Sequence, residues 1–299
     1  MCMSRFGFFA CCLFVMVNTC VAQEPSAPAV QEPTAPAAKP AAVTAAKSGK
    51  TIFVSACTSP SYPSPPPRTK PGIDSLCGVQ GSGGAEANQN MAKNNFCATG
   101  TPSDMTIDDF TNLQTQVEND SSIPFGTDAQ GGREKGPAVD RAPLRALGEG
   151  KLVRMQGFVL FGREEGAESV NCEKTVPNQP ADHDIHIELV GSAGQTDECS
   201  GVVAEMIPHH RPDTWTADNV EQLAGAQLPV RVTGQLFFDS SHFPCQNGAG
   251  VADNPKRISL WEVHPIYAFE VCSSGDCSSD SGWVPLDQWL STEIRKKRK

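Results

Sequence analysis

Apolar and polar positions alternate over residues 184–190, with Ile185, Ile187 and Leu189 on one face of a strand and Asp184, His186 and Glu188 on the other. A longer strand is predicted over residues 151–161, where Val153, Met155, Val159 and Phe161 keep step and Gly157 marks a bulge or bend. Residues 201–207 form a third strand, closed by Pro208. A short helix follows over residues 214–224, with Thr216 as its cap ahead of Val220, Leu223 and Ala224. Residues 229–239 form a fourth strand with Val230, Val232, Leu236 and Phe238 in step, and residues 258–271 a fifth, interrupted at Pro265. Three strands, a helix and two strands is the order of the OB fold, so the expected class is mainly β, a small OB-like closed barrel. Its boundaries are 140–277.

Outside the barrel the pattern weakens. Residues 51–136 read as an irregular, cysteine-containing region with one helix. Thr106 caps that helix, Asp108 and Asp109 fill its first turn, and Ile107, Phe110, Leu113 and Val117 share a face that needs a partner surface. Residues 52–54 suggest a short strand and residues 59–67, with five prolines, an irregular or polyproline II stretch. Cys77 and Cys97 bracket a Gly/Asn-rich loop that a bridge between them would order, and Asn94-Asn95 reads as a turn. Residues 121–136 are expected to be a flexible connection. In residues 278–299, Trp283, Pro285, Leu286, Trp289, Leu290 and Ile294 predict a terminal helix that packs on the barrel and ends in the basic tail 295–299.

Composition changes this picture at the N-terminus. Residues 1–22 carry Arg5, an apolar run over 6–17 and small residues at Cys20 and Ala22, the layout of a signal peptide cut before Gln23. Residues 23–50 are an Ala/Pro-rich linker that buries nothing. A secreted or periplasmic location follows, and no segment has the length and apolarity of a transmembrane helix. Eight cysteines remain after cleavage: Cys57, Cys77, Cys97, Cys172, Cys199, Cys245, Cys272 and Cys277. An even count in an oxidising compartment reads as disulfides, with Cys272 and Cys277 near enough to bridge locally. The precursor's net charge of -10 works against a phosphate backbone, so a small ligand, sugar or protein is favoured over nucleic acid as partner. The basic tail could contact an anionic surface, although a solvated helix end is the plainer reading.

All six histidines lie between residues 183 and 264, near carboxylates. Alternation sets Asp184 with His186, and Glu262 with His264, on one face of their strands, while Asp239 and His242 follow the fourth strand. If the fifth strand closes near the first, these six converge at one rim as candidate metal ligands. Imidazole with carboxylate suits zinc or manganese. Glu205, His209, His210 and Arg211 form an additional polar group, supplying a ligand or a phosphate clamp.

Asp184-Ile185-His186, Val232-Thr233-Gly234 and Trp261-Glu262-Val263-His264-Pro265 together resemble a group of exported bacterial proteins of uncharacterised function. These share an Asp-x-His strand, a Val-Thr-Gly strand and a Trp-Glu-(Ile/Val)-His-Pro strand. The resemblance spans residues 152–272 and implies a recurring domain without an activity to transfer.

Three functions then compete. A binding or interaction module would use the histidine–carboxylate site, with or without a divalent metal, and Trp215, Trp261, Phe237, Phe243 and Tyr267 could supply stacking surfaces although aromatics in strands are usually core. A metal-dependent hydrolase of phosphoesterase or nuclease type would need an open cleft with converging ligands. The third, a nucleophilic enzyme, lacks its motif: there is no Gly-x-Ser-x-Gly elbow, P-loop or dinucleotide fingerprint. The same histidines and acids also satisfy one another in purely structural networks.

Overall fold

In the computed structural model, residues 77–123, 140–172, 183–245 and 254–297 are described. The elements run α1 (Ala87–Lys93), β1 (Ser103–Met105), α2 (Ile107–Asn119), α3 (Ala142–Leu147), β2 (Leu152–Glu164), β3 (Ile185–Val190), β4 (Val202–Met206), α4 (Ala217–Ala226), β5 (Pro229–Phe238), β6 (Trp261–Cys272), β7 (Trp283–Pro285) and α5 (Leu286–Lys297). The signal-like segment 1–22, the linker 23–50, the strand at 52–54, Cys57, most of the 121–136 connection and the last two residues of the tail lie outside the described residues.

Strands β2 to β6 close the barrel. β2 pairs antiparallel with both β3 and β5, β3 with β4, and β5 with β6. Closure comes from β6 lying parallel to β4, with Ala204 opposite Val263. The expectation that the fifth strand closes near the first is therefore corrected: it closes on the third. The inward residues are those the alternation selected, among them Val153, Met155, Val159, Ile185, Ile187, Leu189, Val230, Val232 and Leu236, all in one apolar cluster, which Val263 of β6 joins.

The bulge in β2 falls between Val159 and Phe161 and not at Gly157, which stays in register opposite Val230. The extra residue inverts the alternation beyond it. Phe161 leaves the core, where the Arg163 guanidinium covers its ring at 4.8 Å, and Gly162 turns inward beneath α4. Pro265 does not interrupt β6, which runs on through it. The register shift is taken up opposite Gly234, where any side chain would collide with the Pro265 carbonyl.

The helices obey their caps. Thr106 and Asp109 form a reciprocal capping box at α2, and Thr216 accepts a bond from Asn219 N at 3.2 Å to open α4. The partner of α2 is the segment before β6: Ser259 Oγ donates to the Phe110 carbonyl at 3.0 Å, and Gln114 accepts from Leu260 N at 2.9 Å. At the C-terminus Trp283 and Pro285 belong to β7, paired with β6, and the helix begins at Leu286. Leu286, Trp289 and Leu290 are buried, whereas Ile294 is 51% exposed and does not pack on the barrel as the spacing implied. No helix among the described residues is long and apolar enough to cross a membrane.

Among the described residues, disulfides join Cys77 to Cys172, Cys199 to Cys245 and Cys272 to Cys277. The local Cys272–Cys277 bridge is as expected. The Cys77–Cys97 bridge is not: Cys77 pairs with Cys172, and Cys97 takes part in a different disulfide. The stretch between them holds α1 instead of an open loop. Asn94 and Asn95 are buried there and make polar contacts: Asn94 Nδ2 donates to the Val79 carbonyl at 3.2 Å and Asn95 Nδ2 to the Gln235 side chain.

Candidate metal centre beneath the N-terminal helix

Strand register assembles the centre on the outer face of the barrel. Antiparallel pairing of β3 with β4 sets His186 directly opposite Glu205. Because Ala204 and Val263 are partners facing the core, Glu205, Glu262 and His264 share the opposite face. Asp184 precedes β3, and Asp239 follows β5. Lys93, from the last turn of α1, closes the group from above.

Glu205 is the hub. Its Oε1 lies 3.0 Å from His186 Nε2, and its Oε2 lies 2.7 Å from His264 Nδ1 and 3.9 Å from Lys93 Nζ. Lys93 Nζ is also 3.0 Å from Asp239 Oδ2 and 3.2 Å from Glu168 Oε2. His186 Nδ1 is 3.3 Å from Glu165. Glu262 pairs with the buried Arg257 guanidinium, and Asn171 Nδ2 donates to Asp184 Oδ1 at 3.0 Å.

Asp184, His186, Glu205, Asp239, Glu262 and His264 are all buried. The side chains that retain some exposure are those at one margin, Glu165, Glu168 and His242, at 20%, 24% and 18%. His242 Nε2 stands 3.8 Å from Asp239, and its ring meets that of His186 edge-on at 6.4 Å.

Several of these contacts are ion pairs by distance but not directed hydrogen bonds. Asp184 Oδ2, both Glu205 oxygens, Glu262 Oε2 and both nitrogens of His186 and of His264 have no hydrogen-bond partner of ordinary geometry. A buried carboxylate or imidazole without one is costly. Two sets in the cluster could hold a metal ion: Asp184, Glu205 and His264 offer ligand atoms within 4.8 Å of one another, and so do Glu205, Asp239 and Glu262.

Charge is divided unequally among the acids. Burial pushes Glu205 up, but His186, His264 and Lys93 outweigh it and hold its carboxyl well below the usual range. Asp239 is likewise lowered, burial being overcome by Lys93 and His242. Burial and the neighbouring Glu168 and Glu205 push Asp184 up to about 7. Burial and Glu205 raise Glu262 well above its ordinary value despite Arg257. His186 is raised well above its ordinary value: burial opposes its charge, but Glu205, Glu165 and Glu168 prevail.

Of the six expected residues, Asp184, Asp239, Glu262 and His264 fall in the two sets with Glu205, whereas His186 and His242 belong to neither. Glu205, assigned to an additional polar group, is the centre of the main one. His209 is buried in the 3-10 turn after β4, the side chain of His210 lies outside the described residues, and Arg211 donates to the His183 carbonyl at 2.6 Å and the Met206 carbonyl at 3.3 Å. That guanidinium ties two strand ends together, so it is not a free phosphate clamp. Lys93, Glu165 and Glu168 were missed. The one signal for Lys93 was a lone lysine in a polar stretch between two cysteines, which does not distinguish it from a surface residue.

The proposed stacking aromatics are mostly structural. Trp215, Trp261 and Phe237 are buried, and the Tyr267 hydroxyl donates to the Asn95 carbonyl at 2.8 Å and accepts from Ala98 N at 3.2 Å. A groove of about 460 Å³ does occur, but it lies beside β1 and is lined by Asp104, Met105, Ile107, Arg154 and Gln156, away from the histidines. Comparison with family models, curated proteins and solved structures finds no match for this chain.

Proposed function

We propose that the chain is an exported binding module whose acid–imidazole centre holds one divalent cation, zinc or manganese, at Asp184, Glu205 and His264. The observation that carries this reading is the convergence of those three groups within 4.8 Å, buried and with ligand atoms that lack ordinary hydrogen-bond partners. Imidazole with two carboxylates is a donor set that both ions accept. The ligands come from the start of β3, from β4 and from β6, so a bound ion would clamp the seam where β4 and β6 close the barrel.

Hydrolysis needs a coordination position that water and substrate can reach. All three ligands are buried, and the groove beside β1 is elsewhere, so the geometry favours a structural or binding role over a phosphoesterase or nuclease. Disulfides together with the signal-like residues 1–22 support export. The acidic balance favours a small ligand, sugar or protein as partner over a nucleic acid.

The test is elemental analysis of the purified mature chain beside Glu205→Gln/His264→Ala, with folding checked by circular dichroism. One zinc or manganese per chain, lost in the folded variant, is expected. A chain that carries neither after incubation with both overturns the reading.

A further inference from the structure

The two ligand sets share Glu205 but differ in what already occupies them. Around Asp184 and His264, Asp184 Oδ2 and both His264 nitrogens lack a hydrogen-bond partner of ordinary geometry, and Asp184 Oδ1 accepts from Asn171. The set formed by Glu205, Asp239 and Glu262 instead faces a cation that the chain brings itself. Lys93 Nζ lies 3.0 Å from Asp239 Oδ2 and 3.9 Å from Glu205 Oε2, with its side chain only 5% exposed. An ammonium is a compact, strongly hydrated point charge, and oxygen atoms around it resemble those around a hard metal ion.

The position of Lys93 is enforced from both ends of α1. Gln89 Nε2 donates to Asp239 Oδ1 at 3.1 Å, and Ser240 Oγ donates to Gln89 Oε1 at 2.6 Å. Just beyond the helix Asn95 bonds Gln235, whose own Nε2 reaches back to the Ala92 carbonyl at 2.7 Å. The helix therefore cannot withdraw the ammonium without breaking buried polar contacts. Glu262 Oε2 and Asp239 Oδ2 still lack a hydrogen bond of ordinary geometry, so Lys93 and Arg257 offset charge in this set without saturating it.

Building on the metal reading above, we propose that the Lys93 ammonium stands in the place of a second metal ion in this centre. The tethered ammonium occupies the Glu205–Asp239 side of the second set while Arg257 holds Glu262, Glu205 is shared with the divalent ion, and the centre is thereby restricted to a single metal ion. Replacing Lys93 by a short neutral side chain would leave an oxygen-rich set suited to a hard divalent cation such as manganese.

The experiment compares the mature chain with Lys93→Ala, each incubated with manganese, freed of excess ion by gel filtration and analysed for metal per chain. The expected result is one more manganese per chain in the variant, together with a larger manganese-induced rise in Tm than in the parent. The double variant Lys93→Ala/Asp239→Asn should return to the parent's count. An unchanged count in folded Lys93→Ala overturns the proposal. If that variant folds only when manganese is supplied, the proposal is supported; if it fails to fold even then while the double variant folds, it is overturned. A parent without metal would defeat the single-ion reading alone, because a gain of one ion on removing Lys93 would still identify the ammonium's place as a cation site.

Discussion

His186 and Glu205 are direct partners across β3 and β4, their side chains meeting at 3.0 Å on the outer face of the barrel, where both are buried. Glu205 also faces His264 and Lys93, so a single carboxylate balances groups from three separate elements. Glu205→Ala removes that balance and leaves His186 and Lys93, both buried, with one carboxylate fewer between them. Breaking a buried pair from one side costs about 3–5 kcal/mol. Urea unfolding of the metal-free variant should show a loss of that size. A loss below about 1 kcal/mol, the scale of an exposed pair, would mean that the hub is solvated.

Glu168 provides a pH test at the margin of the centre. Burial pushes its carboxyl up, but the Lys93 ammonium and His186 more than compensate and hold it at about 2, against an ordinary value of 4.5. A carboxyl lowered in the folded state contributes stability above its unfolded value, and that contribution is lost as pH falls from about 4.5 toward about 2. The whole contribution is at most about 3 kcal/mol by the linkage relation. In metal-free protein, Glu168→Gln should flatten the acid side of the stability profile within this window and lower stability at neutral pH. An acid limb that keeps its slope in the variant would assign the titration elsewhere.

How far the centre could be read from the chain follows from the same residues. Period-two alternation put Asp184 with His186 and Glu262 with His264, because barrel strands obey that period wherever they are regular. It could not say that β6 closes on β4, since closure depends on a parallel contact between strands separated by a helix and another strand. Glu205 was accordingly assigned to the wrong group. Alternation also failed beyond Val159, where one extra residue in β2 sent Phe161 outward. The deepest gap was α1. Gln89, Asn90, Lys93, Asn94 and Asn95 are polar yet buried, because Gln89, Lys93 and Asn95 meet polar groups of the barrel face, while Asn90 and Asn94 meet those of the segments around Val79 and Ser169. A pattern that equates polar with exposed must read such a segment as loop.

Gly162 turns inward where α4 crosses β2, and a Cβ there would stand 2.6 Å from Val220 Cβ. Neither atom belongs to a flexible chain end, so helix and strand must separate. Gly162→Ala should cost about 1–3 kcal/mol, the usual range for overpacking. Val220→Ala removes the nearest obstacle, Cγ1, while keeping Cβ, and leaves a small cavity, so it relieves the clash in part. The double variant should therefore be more stable than the sum of the two losses predicts. Strict additivity in chemical unfolding would show that the contact is not what excludes a side chain from this position.

The Cys77–Cys172 bridge joins the segment leading into α1 to the end of the 3-10 turn after β2, across a sequence separation of 95 residues. Both sulfur-bearing residues are buried, and Asn94 Nδ2 donates to the Val170 carbonyl beside the bridge at 3.5 Å. Closing a loop of this length restricts the unfolded chain, and removing such a bond typically costs about 2–4 kcal/mol. The loss should also be local. In Cys77→Ser/Cys172→Ser the amides of α1 should exchange hydrogen faster than those of β3 and β4, because the helix has lost its covalent anchor while the barrel ladder is intact. Equal acceleration across helix and barrel would show that α1 and the strands open as one unit, and that the bridge stabilises the whole fold without specifically pinning the cover over Glu205.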